Sequence, residues 1–239
     1  MSPRPLTVRL ISATAALVGI VCVAASAPAA AAPTGDVAAP RLVVQSHTRS
    51  DVPAYVEFRY QTGAVAGMTA AAAARADGIL GMLVEKPYQA ALTAKTSRCA
   101  GGAADCGYFL QRLRSYPCVS GVLCVASQVG LLVPGNNGSI SYVDTRAIDT
   151  RTGARLPLSR FVPADRRSAF LSAVNAGIQR ELAAGGIVDD PLWSTPVAMR
   201  SVTAWLPRAD GIHVWFAKYD VAPGSFGDVH VRVPWSALG

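Results

Sequence analysis

The chain has few charged residues, and they do not form runs. Asp, Glu, Lys and Arg make up 15% of its 239 residues, with 22 basic and 15 acidic side chains. The basic residues are scattered, and their densest pair is Arg166–Arg167. Nucleic-acid-binding segments instead carry clustered Lys and Arg with aromatic residues between them. The scattered charge therefore argues against a nucleic-acid partner.

Motifs for common enzyme chemistry are also missing. The sequence contains no H-E-x-x-H, no phosphate-binding glycine loop, no G-x-G-x-x-G and no G-x-S-x-G elbow. Its three histidines, His47, His213 and His230, are far apart in sequence. Two of them on adjacent strands would give neither a metal triad nor a serine triad. We predict no catalytic residue, no metal and no cofactor. An esterase-like hydrolase that uses a serine with His213 or His230 stays open as the alternative.

Only one long apolar run is present, near the N-terminus. Arg4 and Arg9 precede an uncharged stretch from Leu10 to Ala27, and an Ala-x-Ala end follows it. These are the three parts of a secretory signal peptide, which we predict at residues 1–31. The mature chain would then begin with a disordered stretch at 32–40 and act outside the cell or in the cell wall. The alternative is an uncleaved signal that anchors the chain, since the run is nearly long enough to span a bilayer.

Cysteine is sparse but unevenly distributed. One of the five cysteines lies within the predicted signal, and the remaining four lie close together: Cys99, Cys106, Cys118 and Cys124. Four neighbouring cysteines in an exported chain predict two disulfides, for which three pairings are open. Cys118 can reach Cys124 only if Ser120–Gly121 turns the chain. A metal site is disfavoured, because the chain has no C-x-x-C and no histidine near these positions.

Hydrophobic periodicity divides the rest of the chain into strands and two long helices. One helix is predicted at 65–94, with Pro87 and two glycines expected to break or kink it near its end. The second is predicted at 163–184, where an apolar stripe recurs at four-residue steps: Phe170, Val174, Ile178 and Leu182. Strands are predicted at 41–48, 54–60, 121–133, 140–149, 199–206, 211–219 and 228–233. Because regular β-α-β alternation is missing, we predict an α+β fold with a mostly antiparallel sheet packed with these two helices.

The C-terminal part of the chain resembles a known family. Residues 211–223 (GIHVWFAKYDVAP), Gly227 and residues 231–238 (VRVPWSAL) resemble the ending of RsiV-type extracytoplasmic domains. Residues 141–161 (SYVDTRAIDTRTGARLPLSRF) look like the strand–turn–strand that precedes this ending in the family. The resemblance covers 121–239, and 41–115 only in element order. It divides the domain into an N-terminal half at 41–115, with the cysteine loop, and an RsiV-like C-terminal half at 116–239.

The resemblance implies a binding protein rather than an enzyme. The family includes the lysozyme-binding extracellular half of anti-sigma factors, accessory domains of peptidoglycan deacetylases and a secreted mycobacterial immunogenic antigen. This chain is similar in layout to the free-standing antigen, because its predicted mature part begins with alanine and proline. The implied partner is a macromolecule: a lysozyme-like protein, an envelope polymer or a host protein.

Two turns, at 136–138 and 219–227, are the predicted ligand-binding segments, because binding residues concentrate in exposed turns. The predicted contact residues are Asn136, Asn137, Tyr219, Asp220 and Phe226. The aromatic members would act as anchors of the kind that dominate interface energetics. The competing interpretation places the aromatic residues of this region in the core. Gly224 departs from the family, which carries an aromatic residue at that position.

Overall fold

A computed structural model describes residues 39–52, 55–93, 106–132, 139–188, 190, 192–193 and 196–239. The predicted signal peptide at 1–31 and residues 32–38 lie outside these ranges, as do Cys99, Asn136 and Asn137. The described chain forms eight strands and two α-helices, which confirms the predicted α+β class. None of the described helices is long and apolar enough to cross a membrane.

Five strands form the first sheet in sequence order. They are β1 (Arg41–Arg49), β2 (Tyr55–Ala66), β3 (Gly107–Tyr116), β4 (Val122–Leu132) and β5 (Ile140–Asp149). Neighbouring strands pair antiparallel except β2 and β3, which are parallel. A parallel pair needs a crossover connection, and helix α1 (Ala70–Thr93) lies in it. The predicted boundary between residues 115 and 116 falls inside this sheet, at the end of β3.

Helix α1 packs on the first sheet through its apolar residues. Ala76, Leu80 and Leu83 are buried in one cluster with Val125 of β4 and Ile148 of β5. Full burial of an aliphatic side chain contributes about 1.5–3 kcal/mol. This cluster therefore holds the crossover helix against the central strands.

The bounds of α1 differ from the prediction. The helix begins at Ala70 because β2 continues to Ala66, and it runs unbroken through Pro87 to Thr93. The prediction was a break or a kink, and of these the break was wrong. Pro87 removes one backbone donor, but apolar residues on both sides of it are buried against the sheet, and their packing offsets that loss. A Cβ at Gly78 or Gly81 would have no neighbouring atom within 4 Å, so no close packing requires glycine there. Each glycine therefore destabilises the helix only through its low helix propensity, by about 1 kcal/mol.

Strand β3 was missing from the sequence prediction, which assigned no element to 107–116. Its burial alternates as expected for a strand with one covered face. Phe109, Gln111 and Leu113 are buried, whereas Arg112 and Arg114 are exposed. A glutamine at a core position interrupts the apolar alternation, and this is why the pattern was not recognised.

The second sheet has three antiparallel strands and one covering helix. Helix α2 (Arg167–Ala184) precedes β6 (Ala204–Arg208), β7 (Gly211–Phe216) and β8 (Val229–Val233). The strand predicted at 199–206 begins later, because Met199–Ser201 form a 3-10 turn. The strand predicted at 211–219 ends at Phe216, before a turn.

Helix α2 confirms the predicted apolar stripe. Phe170, Val174, Ile178 and Leu182 are all buried in the core beneath the second sheet. Gly177 lies on the same face, and a Cβ there would overlap Val231 of β8. The absence of a side chain at this position therefore allows the helix to approach the sheet closely.

A buried threonine joins the two sheets. The Thr145 hydroxyl of β5 donates to the Trp205 carbonyl oxygen of β6 at 2.8 Å and accepts from the Trp205 N–H at 2.7 Å. Thr145 is 3% exposed, so both bonds lie away from water. They satisfy backbone groups that β6 would otherwise bury unpaired, and they position the second sheet on the edge strand of the first.

One disulfide is described completely. Cys118 and Cys124 are bonded, with their Cα atoms 6.0 Å apart, and they flank the β3–β4 turn. Gly121 makes this turn at a φ of 76°, as the Cys118–Cys124 pairing required. Cys106 is disulfide-bonded as well.

Candidate functional site

The turn that carries three predicted contact residues lies against the start of β5. The Lys218 ammonium donates to the Ser139 carbonyl oxygen at 2.9 Å. The Ser141 hydroxyl donates to the Asp228 carboxylate at 2.7 Å. Ser139 directly follows the other predicted turn, whose two asparagines are not among the described residues. Segment 217–228 therefore lies beside the described end of that turn.

Tyr219 is exposed and has an unusual backbone conformation. Its φ is 74°, a value in the left-handed region that no other non-glycine residue of the described chain adopts. This conformation costs a residue with a Cβ roughly 1–2 kcal/mol. Tyr219 is 60% exposed, so burial offsets little of that cost. Its ring lies over Gly224, where a Cβ would overlap it. Glycine at the position where the RsiV-type ending has an aromatic residue thus makes room for the Tyr219 ring.

A cleft of about 340 Å³ lies near this turn, between α1, β5 and the second sheet. Tyr142 and Trp215 contribute aromatic surface to its lining, and Asp144, Asp220 and Lys86 contribute charged groups. Burial raises the pKa of Tyr142, and the charge of Asp144 raises it further, so the phenol stays protonated at neutral pH. Aromatic surface with a few polar groups is the usual composition of a ligand-binding cleft.

Both carboxylates of the cleft also have structural partners. Asp220 Oδ2 accepts from the Ala217 N–H at 2.9 Å, which closes the turn that contains Tyr219. Both oxygens of Asp144 accept from the Arg146 guanidinium. A carboxylate can accept about four hydrogen bonds, so each retains capacity for a ligand. Sequence reasoning identified Asp220 but missed Asp144 and Trp215, because their elements meet only in the folded chain.

Phe226 packs into the protein instead of projecting from it. Its side chain is partly buried against the core under the second sheet. The ring lies over Gly185 at the end of α2, where a Cβ would overlap it. Phe226 therefore fixes the turn to the helix, and its ring supplies little surface for the predicted ligand contact.

His213 and His230 lie side by side on β7 and β8. His213 Nε2 is 2.9 Å from Asp210 Oδ1, and His213 Nδ1 is 2.9 Å from His230 Nε2. Because an ionised carboxylate only accepts, Nε2 of His213 carries a hydrogen and its Nδ1 accepts from the Nε2–H of His230 in the neutral pair. The neutral rings thus form a chain of hydrogen bonds that starts at Asp210. Trp215 stacks on His230 with ring centroids 4.8 Å apart.

Desolvation keeps both imidazoles neutral at pH 7. It lowers the pKa of His213, and it lowers the pKa of His230 to about 4, where protonation of His213 and the charge of Arg208 add to the effect. His230 keeps an exposed edge, but its ring packs against Trp215 and His213. Within the described ranges, no serine hydroxyl bonds to either ring, and no group of three His, Cys, Asp or Glu residues is arranged to hold a metal ion.

Comparisons with known proteins establish the fold and nothing finer. No protein-family model matches the chain, and no curated protein matches it in sequence. A DUF3298 family protein from Pseudomonas aeruginosa PAO1 has a similar crystal structure, with a TM-score of 0.58 and 13% identity over 83% of this chain and 91% of that one. A DUF3298 family member from Bacteroides fragilis matches with a TM-score of 0.53 and 12% identity over 84% of this chain and 92% of that one. The chain is therefore similar in fold to DUF3298 family proteins.

Proposed function

We propose that this chain is a secreted, non-catalytic binding protein that captures a macromolecule through Tyr219 and the adjoining cleft. The observation that carries the proposal is the exposed tyrosine at positive φ. Stability alone does not favour this arrangement, because glycine adopts the same backbone conformation without the steric cost. Strained residues concentrate at binding and active sites, where the strain presents a side chain to a ligand.

The surroundings of Tyr219 support a binding role. Its ring lies over Gly224, so less side-chain freedom is lost when a partner contacts it than for an unpacked side chain. Trp215 and Tyr142 extend the aromatic surface into the cleft, and Asp144 and Asp220 add hydrogen-bond acceptors. The RsiV-type resemblance favours a lysozyme-like protein as the partner, with an envelope polymer or a host protein as the alternatives.

A Tyr219→Gly variant tests the proposal. Glycine removes the aromatic anchor and also relieves the positive-φ strain, so the free energy of unfolding should change by less than about 1 kcal/mol. Partner capture should weaken at least about tenfold, as expected for an aromatic hot spot. Leu192→Ala is the matched control, because Leu192 is 78% exposed and lies outside the segment and cleft described above. Capture is measured by gel filtration with lysozyme and by pull-down from envelope extract and host-cell lysate.

Two results would contradict this assignment. If Tyr219→Gly captures the partner as well as Leu192→Ala does, the binding site lies elsewhere. If Tyr219→Gly unfolds the domain, the tyrosine is a structural residue, and its exposure has no functional meaning. Capture of lysozyme, of an envelope polymer or of a host protein would distinguish the three partner classes.

Secretion is the second part of the proposal and rests on the sequence. Arg4, Arg9 and the apolar run to Ala27 have the order of a cleavable signal. Mass spectrometry of culture filtrate should detect a chain that starts near Ala32. Full-length chain recovered only from the membrane fraction would indicate an uncleaved anchor instead.

An esterase-like hydrolase remains the second candidate, and the Asp210–His213–His230 chain of hydrogen bonds is the observation that favours it. In this role the exposed edge of His230 would accept a proton from a nucleophile. The test is turnover of a generic ester such as p-nitrophenyl acetate. Activity that disappears in His230→Ala would support hydrolysis, and activity that survives the substitution would exclude this histidine from the reaction.

A further inference from the structure

Strands β2 and β3 separate within the first sheet. Their parallel register runs from Tyr55–Gly107 to Arg59–Leu110 and ends there. Each strand continues for several residues beyond that point, to Ala66 in β2 and Tyr116 in β3. A gap in backbone pairing therefore opens in the middle of the sheet, where polar backbone groups need other partners.

Two glutamine side chains bridge this gap. The Gln61 N–H donates to Gln111 Oε1 at 2.9 Å, and the Leu113 N–H donates to Gln61 Oε1 at 2.8 Å. Gln111 is 1% exposed, and its Nε2 also donates to the Ser127 hydroxyl at 2.9 Å. A buried polar network whose members are satisfied rigidifies the local structure. The two glutamines thus stabilise the sheet where its strands separate.

A cleft of about 620 Å³ occupies this region. Three arginines are among its lining residues: Arg59, Arg112 and Arg114. The rest of the lining consists of polar, aromatic and apolar residues: Ser46, Thr48, Gln61, Gln111, His47, Tyr60, Leu110 and Leu113. None of the described residues that line the cleft is Asp or Glu. The cleft lining is therefore cationic, and the acid that pairs with one of its arginines, Glu57, lies outside the lining.

The arginines are available to a ligand. Arg112 and Arg114 are exposed, and neither forms an ion pair with another described residue. They are two positions apart on β3, so they project from the same face with Cα atoms about 7 Å apart. Arg59 pairs with Glu57 at 2.9 Å, but its side chain is 63% exposed, and exposed pairs of this kind contribute only about 0.2–1 kcal/mol.

We propose that this cleft binds an oligophosphate, a chain with more than one phosphate group, at a site independent of Tyr219. Guanidinium groups bind phosphate through paired N–H donors, and adjacent arginines can engage successive phosphates of one ligand. Phosphate offers more acceptor oxygens and more charge per group than carboxylate does, which matches a lining with three arginines. The volume lies within the range of small-molecule sites, so the cleft accommodates a short oligomer or one segment of a longer phosphate polymer.

Calorimetric titration of the purified chain with sodium tripolyphosphate tests this site. The double variant Arg112→Gln/Arg114→Gln should weaken binding at least about tenfold, because two charge-assisted contacts are lost. Arg160→Gln/Arg200→Gln is the matched control: it removes the same charge from two exposed arginines outside the cleft and should change affinity less than about threefold. Both double variants should keep the parent melting temperature, because these positions are exposed. Tyr219→Gly should bind tripolyphosphate like the parent chain, which separates this site from the proposed macromolecular one.

The proposal fails if the parent chain does not bind tripolyphosphate, or if the two double variants lose affinity equally, since the effect would then be one of net charge. Citrate that binds as tightly as tripolyphosphate would also overturn it, because the site would then recognise charge rather than phosphate. Inorganic phosphate should bind more weakly than tripolyphosphate. Phosphatidylglycerol vesicles distinguish the source: binding to vesicles without binding to tripolyphosphate would indicate a membrane surface and refute the oligophosphate site.

Discussion

Replacing Ile178 by alanine tests whether α2 is held by the buried stripe. Ile178 is 3% exposed and lies in the core beneath the second sheet. The substitution removes three carbon groups, each contributing about 0.8 kcal/mol of burial. Helix α2 cannot move inward to fill the space, because it already approaches Val231 closely at Gly177. A residual cavity of about 60 Å³ would therefore cost a further 1.4 kcal/mol, at about 24 cal/mol per Å³.

The expected loss is about 3–4 kcal/mol in the free energy of unfolding, measured by urea denaturation followed by circular dichroism. The melting temperature should fall by about 6–16 °C, since each kcal/mol corresponds to about 2–4 °C in a domain of this size. Arg180→Ala, on the exposed face of the same helix, is the control and should stay within about 0.5 kcal/mol. Similar losses from both substitutions, or a loss below about 1 kcal/mol for Ile178→Ala, would refute the packing argument.

Gly153→Ala should destabilise the chain by about 2–5 kcal/mol in the same assay, because its φ is 69° and a Cβ would overlap the Ala72 carbonyl group; an unchanged melting curve would contradict this. Acidification should lower the melting temperature as the pH falls from about 6.5 towards 4. Folding lowers the pKa of His213 and that of His230 below their ordinary 6.5, so the unfolded chain binds more protons in that window. The melting temperature of His230→Gln should depend less on pH. A pH profile identical to that of the parent chain would show that His230 does not cause the loss of stability. Iodoacetamide should leave Cys118 unlabelled in the unreduced, denatured chain, whereas labelling would show that its disulfide is absent.

Much of the fold could be predicted from short-range patterns. The stripe from Phe170 to Leu182 identified the buried face of α2, because four-residue spacing places side chains on one face of a helix. The alternating or continuous apolar runs identified β4 and β5 almost to their ends. Gly153 lies in the segment 141–161, which was predicted as strand–turn–strand, and has the positive φ that glycine adopts readily in a turn. Each of these features depends on residues that are close in sequence.

Other features of the fold depend on distant residues. Strand β3 was not predicted, because Gln111 occupies a core position that is satisfied only by Ser127 on β4 and by the backbone of β2. The parallel pairing of β2 with β3 was also missed, since it depends on where α1 returns the chain. The low helix propensity of proline similarly suggested a break at Pro87, but tertiary packing keeps the helix continuous through this residue.

By itself, the sequence determined the secondary-structure class, the buried face of α2 and a cysteine spacing that permits the Cys118–Cys124 bond once Gly121 turns the chain. Only the tertiary structure decided which residues of the C-terminal turn face solvent. Tyr219 and Phe226 are aromatic residues of one segment, yet the first is exposed over Gly224 and the second is packed on Gly185. The physical reason is that burial depends on which surfaces meet across the fold, and neither spacing nor residue type in a single segment contains that information.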